Sequence, residues 1–270
     1  LTRSMLRLPS RGPFDTQPVL MDNTYKPDFV YKHDNPYHDR LGEFQDFVLR
    51  DSQGEAFRGK WNSDFFKREA PLYLEIGTGF GDFMMEFCHN HPNANFVGLD
   101  YRFKRSYQVA KKLSRFDIEN FCYLRARGER IAHTFAENEL DGIFFFFSDP
   151  WPKQRHHKRR LFQKEFLNSA FTILKPGAKI YIKTDHEGYA EWMENLLQNQ
   201  VQDQGQFAIE FQTKNLIYNM SGANIASVPF LSTFQTKFEK IFVSQGTKIK
   251  AFELTSTKNA MPIVGRGQVQ

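Results

Sequence analysis

LYLEIGTGFGDFMMEFCHNH, residues 72–91, is an apolar run that breaks into spaced glycines and resumes with helical spacing. Leu72 to Ile76 is short and apolar enough for a buried strand, Gly77, Gly79 and Gly81 supply a turn, and Asp82 opens a helix. The same texture repeats downstream. NFVGLD (95–100) reads as a second strand before the helix FKRSYQVAKKLSRF, and FCYLRA (121–126) as a third before the helix ERIAHTFAE. LDGIFFFFSDP (140–150) is a fourth strand, RLFQKEFLNSAFTIL a helix, KPGAKIYIKTD a helix stop and fifth strand, and EGYAEWMENLLQNQ another helix. From about Phe207 two further strands flank a polar connection, 214–235. Strands alternating with helices predict an α/β fold with a doubly wound, mostly parallel, seven-stranded sheet.

Residues 1–70 lack this texture. Proline recurs at 9, 13, 18, 27 and 36, and the stretch reads as a partly flexible extension, helical at most near Gly42 to Leu49. The expected organisation is therefore an extension (1–70), one α/β domain (71–256) and a short tail (257–270). No apolar run approaches the roughly 18 residues of a membrane span. The start has three arginines before its first acid and no apolar core of a secretory signal, so the expected address is the cytoplasm. Cys88 and Cys122 stand at no metal-like spacing, and neither a disulfide nor a metal site is expected. The net charge of +5 is modest, but it is unevenly placed. Residues 1–70 balance 11 cations against 11 acids, whereas 151–160 hold five cations and no acid.

Ligands of doubly wound sheets sit outside the carboxyl ends of the strands. Those ends carry Glu75, Asp100, Asp149 and Asp185, together with the glycine turn. Acids at four strand exits suit a cationic ligand with hydroxyls better than a phosphate. A dinucleotide site would need glycine at 82, where Asp82 stands, and an acid opening a helix disfavours pyrophosphate. Glu75 is placed to bond an ammonium or orient the loop, and Asp100 to hold two ribose hydroxyls. Gly77 and Gly79 let the backbone approach the ligand closely. The set suits S-adenosylmethionine better than a nicotinamide cofactor, although any one of the glycines needs no more than a tight turn.

SDPWPKQRHHKRR (148–160) follows directly on Phe144 to Phe147. The phenylalanines read as a buried central strand. Pro150 and Pro152 stiffen the chain around Trp151 and fix Asp149 at the ligand edge of the sheet. A charge run is ordinarily a solvated loop. Here its position beside Asp149 points to phosphate contacts by Lys153, Arg155, Lys158, Arg159 and Arg160, joined by His156 and His157.

EIGTGFG, GLDYRF, FSDPWPKQRHHKRR, IKTDHEGY and TKFE occur in this order and spacing over residues 70–245. The sequence thereby resembles the TrmB-type tRNA (guanine-N7-)-methyltransferases. The resemblance implies the Rossmann-like sheet of a SAM-dependent methyltransferase acting on a guanine of tRNA, in the variable loop. The family has single-chain and two-subunit members, and this sequence carries no legible partner-binding signature. By position it implies cofactor contacts at Glu75, Gly77, Gly79, Asp100 and Asp149, and substrate contacts at Lys153, Asp185, Thr236, Lys237, Phe238 and Glu239. Asp149 is the expected catalytic organiser. Many relatives place an acidic or amide residue after the third strand, against the adenine. This chain has Arg127-Gly128 there, and a guanidinium cannot accept from the adenine amino group. Stacking by Arg127, acceptance by Glu129 and contacts from backbone groups remain the options.

Each acid also has a plainer reading. Asp185 could simply cap the helix that follows, and Glu239 sits in what reads as a strand start. Two other functions fit part of the pattern: a methyltransferase for a different substrate, and a non-catalytic RNA-binding module on the same fold. The first leaves the cationic loop unexplained, and measurable SAM binding would oppose the second. A dehydrogenase is disfavoured by Asp82.

Overall fold

The structure, a computed structural model, describes residues 24–203, 205–216 and 229–258. The expected arm over 1–23, part of the polar connection (217–228) and most of the tail (259–270) lie outside the described residues.

Strands β1 (Val48–Arg50), β2 (Leu72–Ile76), β3 (Asn95–Asp100), β4 (Phe121–Arg125), β5 (Leu140–Phe146), β6 (Leu174–Thr184), β7 (Phe207–Thr213) and β8 (Lys250–Ser256) form one sheet in the order 1-4-3-2-5-6-8-7. β8 runs antiparallel to both its neighbours, and the remaining pairs are parallel. The sheet thus has eight strands where the sequence predicts seven. The additional one, β1, comes from within the expected extension, and its three residues are too few to show a period. The stretch 42–49 is correspondingly not a helix: a 3-10 turn at Leu41–Phe44 leads into β1. The predicted helix 129–137 is a 3-10 turn (Gly128–Arg130) and a single α turn (Ile131–Thr134).

Both faces of the sheet are covered, which is why its strands read as continuous apolar runs. Helices α1 (Asp82–Asn90) and α2 (Phe103–Leu113) pack one face through Phe83, Met84, Phe87, Val109 and Leu113, against Phe96, Phe144 and Phe146. Helices α3 (Lys164–Ile173) and α4 (Glu187–Asp203) pack the other through Phe166, Leu167, Tyr189 and Met193, against Leu74, Ile143, Phe145 and Ile182. Alternate phenylalanines of β5 therefore enter opposite layers. Each of Phe144 and Phe145, fully buried, stabilises the fold by roughly 1.5–3 kcal/mol. Cys122 lies in one layer and Cys88 in the other, and both thiols are free.

After β2 the chain steps to β3 and β4 on one side, then returns to β5 on the other. The reversal opens a crevice above the carboxyl end of β2. Residues 24–61 close the β4 end. Arg130 donates to the carbonyls of Thr24 and Lys26 and forms two 2.9 Å bonds with Glu55. Trp61 is fully buried and stacks on Phe135. Arg125 donates to Asp51, whose other carboxylate oxygen lies 2.6 Å from His33 Nε2 and 3.1 Å from His38 Nε2. These two histidines and Asp51 have metal-type donor atoms, but the Arg125 guanidinium, 3.0 Å from His33 Nε2, already supplies the cation of the cluster. Its role is to pin residues 31–38 beside the end of β3.

Candidate active site

The crevice is built from the residues that leave β2, β3, β5 and β6. Gly77 and Gly79 have φ of +85° and +58°, and an added Cβ at Gly77 would meet nothing within 4 Å. The loop thus needs glycine for its backbone shape and borders open space. Gly81 differs, since a Cβ there would press on Val109 at 3.3 Å. Asp82 is ion-paired with Lys112, which blunts the repulsion expected of an acid at the start of α1.

Glu75 is 4 % exposed, and its Oε2 has no hydrogen-bond partner among the described residues. Burial raises its carboxyl to about 8. A buried oxygen without a partner costs free energy unless something completes it. Asp100, also buried, accepts from the Gly79 N–H at 3.1 Å and the Arg102 N–H at 3.0 Å, with Arg105 Nη1 3.7 Å away. It ties the glycine loop to the end of β3 and retains lone pairs for a ligand. Burial raises its pKa against the lowering effect of these donors. The donor set fits S-adenosylmethionine: an unmatched carboxylate for an ammonium, a second carboxylate for hydroxyls, and a loop whose Gly77 leaves room.

Asp149 is exposed on the rim and receives a 2.8 Å bond from Arg102 Nη2. On either side of it, Phe147 and Trp151 have φ of +53° and +43°, a region that side chains avoid. Arg160 holds this bend. It is buried, donates from Nε to the Pro150 carbonyl at 2.8 Å, and lies 5.0 Å above both the Tyr189 and Trp192 rings. The expectation that Arg160 contacts phosphate is therefore corrected: its charge supports the loop from within. Lys153, Arg155, Lys158 and Arg159 are exposed on or beside the 3-10 turn Gln154–Arg159. Arg159 lies over Trp151, and His156 and His157 pack edge-on to Trp151 and Trp192.

Asp185 follows β6 and is partly exposed, with its carbonyl accepting from Lys250 Nζ. It does not cap α4; His186 does, accepting the Tyr189 N–H at Nδ1. The expected strand start at 236–239 is instead a helix, α5 (Lys237–Ser244), capped by Thr236. Thr236 Oγ1 accepts from the Glu239 N–H, and Glu239 Oε2 accepts from the Thr236 N–H. Glu239 is fully buried, and both its oxygens lie 3.3 Å from Lys183 Nζ. It is thus committed to the fold and not presented to a guanine edge, as the family pattern had implied. Burial pulls the Lys183 ammonium down to about 8 and raises Glu239. Lys183→Met should lower unfolding free energy by about 3–5 kcal/mol, read from the urea midpoint, because it strands a buried carboxylate. Adding Glu239→Leu should restore much of that loss; an undiminished loss would show that the carboxylate is not its source.

Lys237 and Phe238 are exposed. Arg127 is partly exposed, at the end of the β4 strand region, whereas Gly128 is buried and a Cβ there would come within 2.5 Å of Leu161 Cδ2. Close packing therefore accounts for Gly128 without a ligand. Arg102 and Arg105 escaped the sequence reading, although the three cations that follow the strand-end acid in DYRFKR are a usable signal.

A family profile described as "Putative methyltransferase" matches residues 69–251. A tRNA (guanine-N(7)-)-methyltransferase of Enterococcus faecalis is 34% identical over 199 residues, covering 74% of this chain and 86% of the relative. This chain belongs to the tRNA (guanine-N7-)-methyltransferase family. A further member, from Bdellovibrio bacteriovorus, is 32% identical over 215 residues, 79% of this chain and 97% of the relative. A solved 16S rRNA methyltransferase shares 15% identity at a TM-score of 0.49, covering 77% of this chain and 94% of that one. The family match contains each of the four strand-end acids and the whole basic loop. Among the described residues, no helix is long and apolar enough to cross a membrane.

Proposed function

We propose that this protein transfers the methyl group of S-adenosylmethionine to N7 of a guanine in tRNA, in the cytoplasm. The observation that carries this reading is the family match over residues 69–251, which spans every residue placed in the crevice. Glu75 takes the ligand's ammonium, Asp100 its ribose hydroxyls, and Gly77 and Gly79 allow close backbone approach. The bound cofactor supplies a methyl group on a positively charged sulfur. Guanine N7 has an in-plane lone pair and no proton to lose, so the chain needs no strong base, and its task is alignment. Asp149 is the organiser: Arg102 fixes one oxygen, leaving the other for the cofactor's amino acid end or the guanine edge. Asp185 accepts from the guanine N1–H and amino group, a pattern that adenine does not offer. With Glu239 withdrawn into the fold, Thr236 acts through the helix cap that presents Lys237 and Phe238. The guanine leaves its stack to reach the crevice.

The exposed cations of the loop bind phosphate. Replacing Lys153, Arg155, Lys158 and Arg159 together with Gln should flatten the salt dependence of tRNA binding. The slope of log affinity against log salt should fall by about 0.7–0.9 for each lost phosphate contact, with cofactor affinity unchanged. An unaltered slope would remove the loop from the RNA interface.

The reading itself is tested with purified protein, methyl-labelled S-adenosylmethionine and unmodified bulk tRNA, the labelled base being mapped by borohydride–aniline cleavage. Cleavage at one variable-loop guanine is the expected result. Tight tRNA binding without label would favour the inert RNA-binding module, and label on a different substrate class the other methyltransferase reading.

A further inference from the structure

Beside the glycine loop, two phenylalanine rings stand in solvent. Phe80, between Gly79 and Gly81, is 40% exposed, and Phe238, in the first turn of α5, is 43% exposed. Isolated exposed rings are ordinary on protein surfaces. These two are paired across distant parts of the chain, centroids 6.0 Å apart with planes tilted by 33°. Arg105 lies 5.4 Å above the Phe80 ring, and Lys237 is exposed beside Phe238. Nearby carboxylates are already matched: Asp82 by Lys112, Asp149 by Arg102, and Asp100 by backbone N–H groups. The rings are thus an apolar surface in a cationic rim, at the mouth of the cofactor loop.

Resting on the tRNA reading above and extending it, we infer that Phe80 and Phe238 form a stacking platform for an unpaired nucleobase of the RNA, next to the guanine being methylated, with Arg105 and Lys237 on the adjoining phosphates. A base has a flat apolar face and a strand has a charge for each nucleotide, so ring and cation together fit it where either alone would not. The platform follows β2 and the basic loop follows the neighbouring β5, so both border the crevice and would hold the same RNA strand.

The experiment compares affinity for unmodified tRNA with affinity for S-adenosylmethionine, in wild type and in the variants Phe80→Leu, Phe238→Leu and Phe80→Tyr. Each leucine variant should weaken tRNA binding about ten-fold, while Phe80→Tyr, which keeps a ring, should stay within about two-fold. Cofactor affinity should be unchanged, and so should the salt slope, because a lost ring releases no counterions. Wild-type tRNA affinity in Phe80→Leu would overturn the platform and leave the methyltransferase reading standing. A parallel loss of cofactor affinity would also overturn it, since the ring would then be propping the glycine loop. Absence of tRNA binding by wild type would sink the tRNA reading and the platform with it.

Discussion

Affinity for S-adenosylmethionine should rise by about ten-fold for each pH unit between 5 and 7, roughly 100-fold in all. The cause is Glu75, whose carboxyl burial holds protonated up to about 8. Pairing with an ammonium requires the ionised form, so binding must expel a proton throughout that window. Calorimetry at pH 7 should find close to one proton released, as a dependence of the observed heat on buffer ionisation. Glu75→Gln should abolish both the pH slope and the release. A slope that persists in Glu75→Gln would assign the proton elsewhere and remove Glu75 from the ammonium site. The ligand-free protein carries the same linkage in its stability. Because the folded-state value is raised, the contribution of Glu75 is fully present below its unfolded value near 4.5 and is lost as pH rises through 8. Stability from this source should therefore decline by up to about 1.4 kcal/mol per pH unit across that interval. Saturating cofactor should cancel the decline.

Asp149→Ala should reduce the single-turnover rate of methyl transfer about 100-fold while leaving the fold intact, since the side chain lies on the surface. Arg102→Ala should produce a smaller loss, and adding it to Asp149→Ala should cost little more, because both remove the same 2.8 Å contact. Strict additivity of the two would mean that Arg102 acts on the substrate independently of Asp149. An unchanged rate in Asp149→Ala would defeat its role as organiser. The positive φ values at Phe147 and Trp151 bear on the same point. Arg160 keeps that turn bent from below, through the Pro150 carbonyl.

The central sheet was legible because parallel strands buried on both faces leave unbroken apolar runs, as in LYLEI and IFFFF. The crevice was legible because acids and glycines gather at the strand ends, where a doubly wound sheet binds its ligands. Other features are decided by tertiary contacts. β1 became a strand by pairing with β4, which nothing in Val48–Arg50 announces. Lys183 reads as the polar face of an alternating strand, yet α5 covers that face and supplies Glu239. Arg160 is indistinguishable in sequence from the exposed cations before it, and its contacts with the Pro150 carbonyl, Tyr189 and Trp192 mark it as internal. At α5 the signal was present but misread. Thr236-x-x-Glu239 is a capping box, and Phe238, Ile241 and Phe242 follow it at helical spacing.

The two thiols give this molecule a tamper seal on each side of the sheet. Burial pushes Cys88 and Cys122 well above the ordinary thiol range, so neither presents a reactive thiolate while its layer is closed. Cys88 lies on the buried face of α1, and Cys122 points from β4 into the opposite layer. A thiol reagent therefore acts as a clock on the opening of each layer separately. Slower labelling of Cys88 with cofactor present, while Cys122 keeps its rate, would mean that ligand binding locks one half of the protein without stiffening the whole.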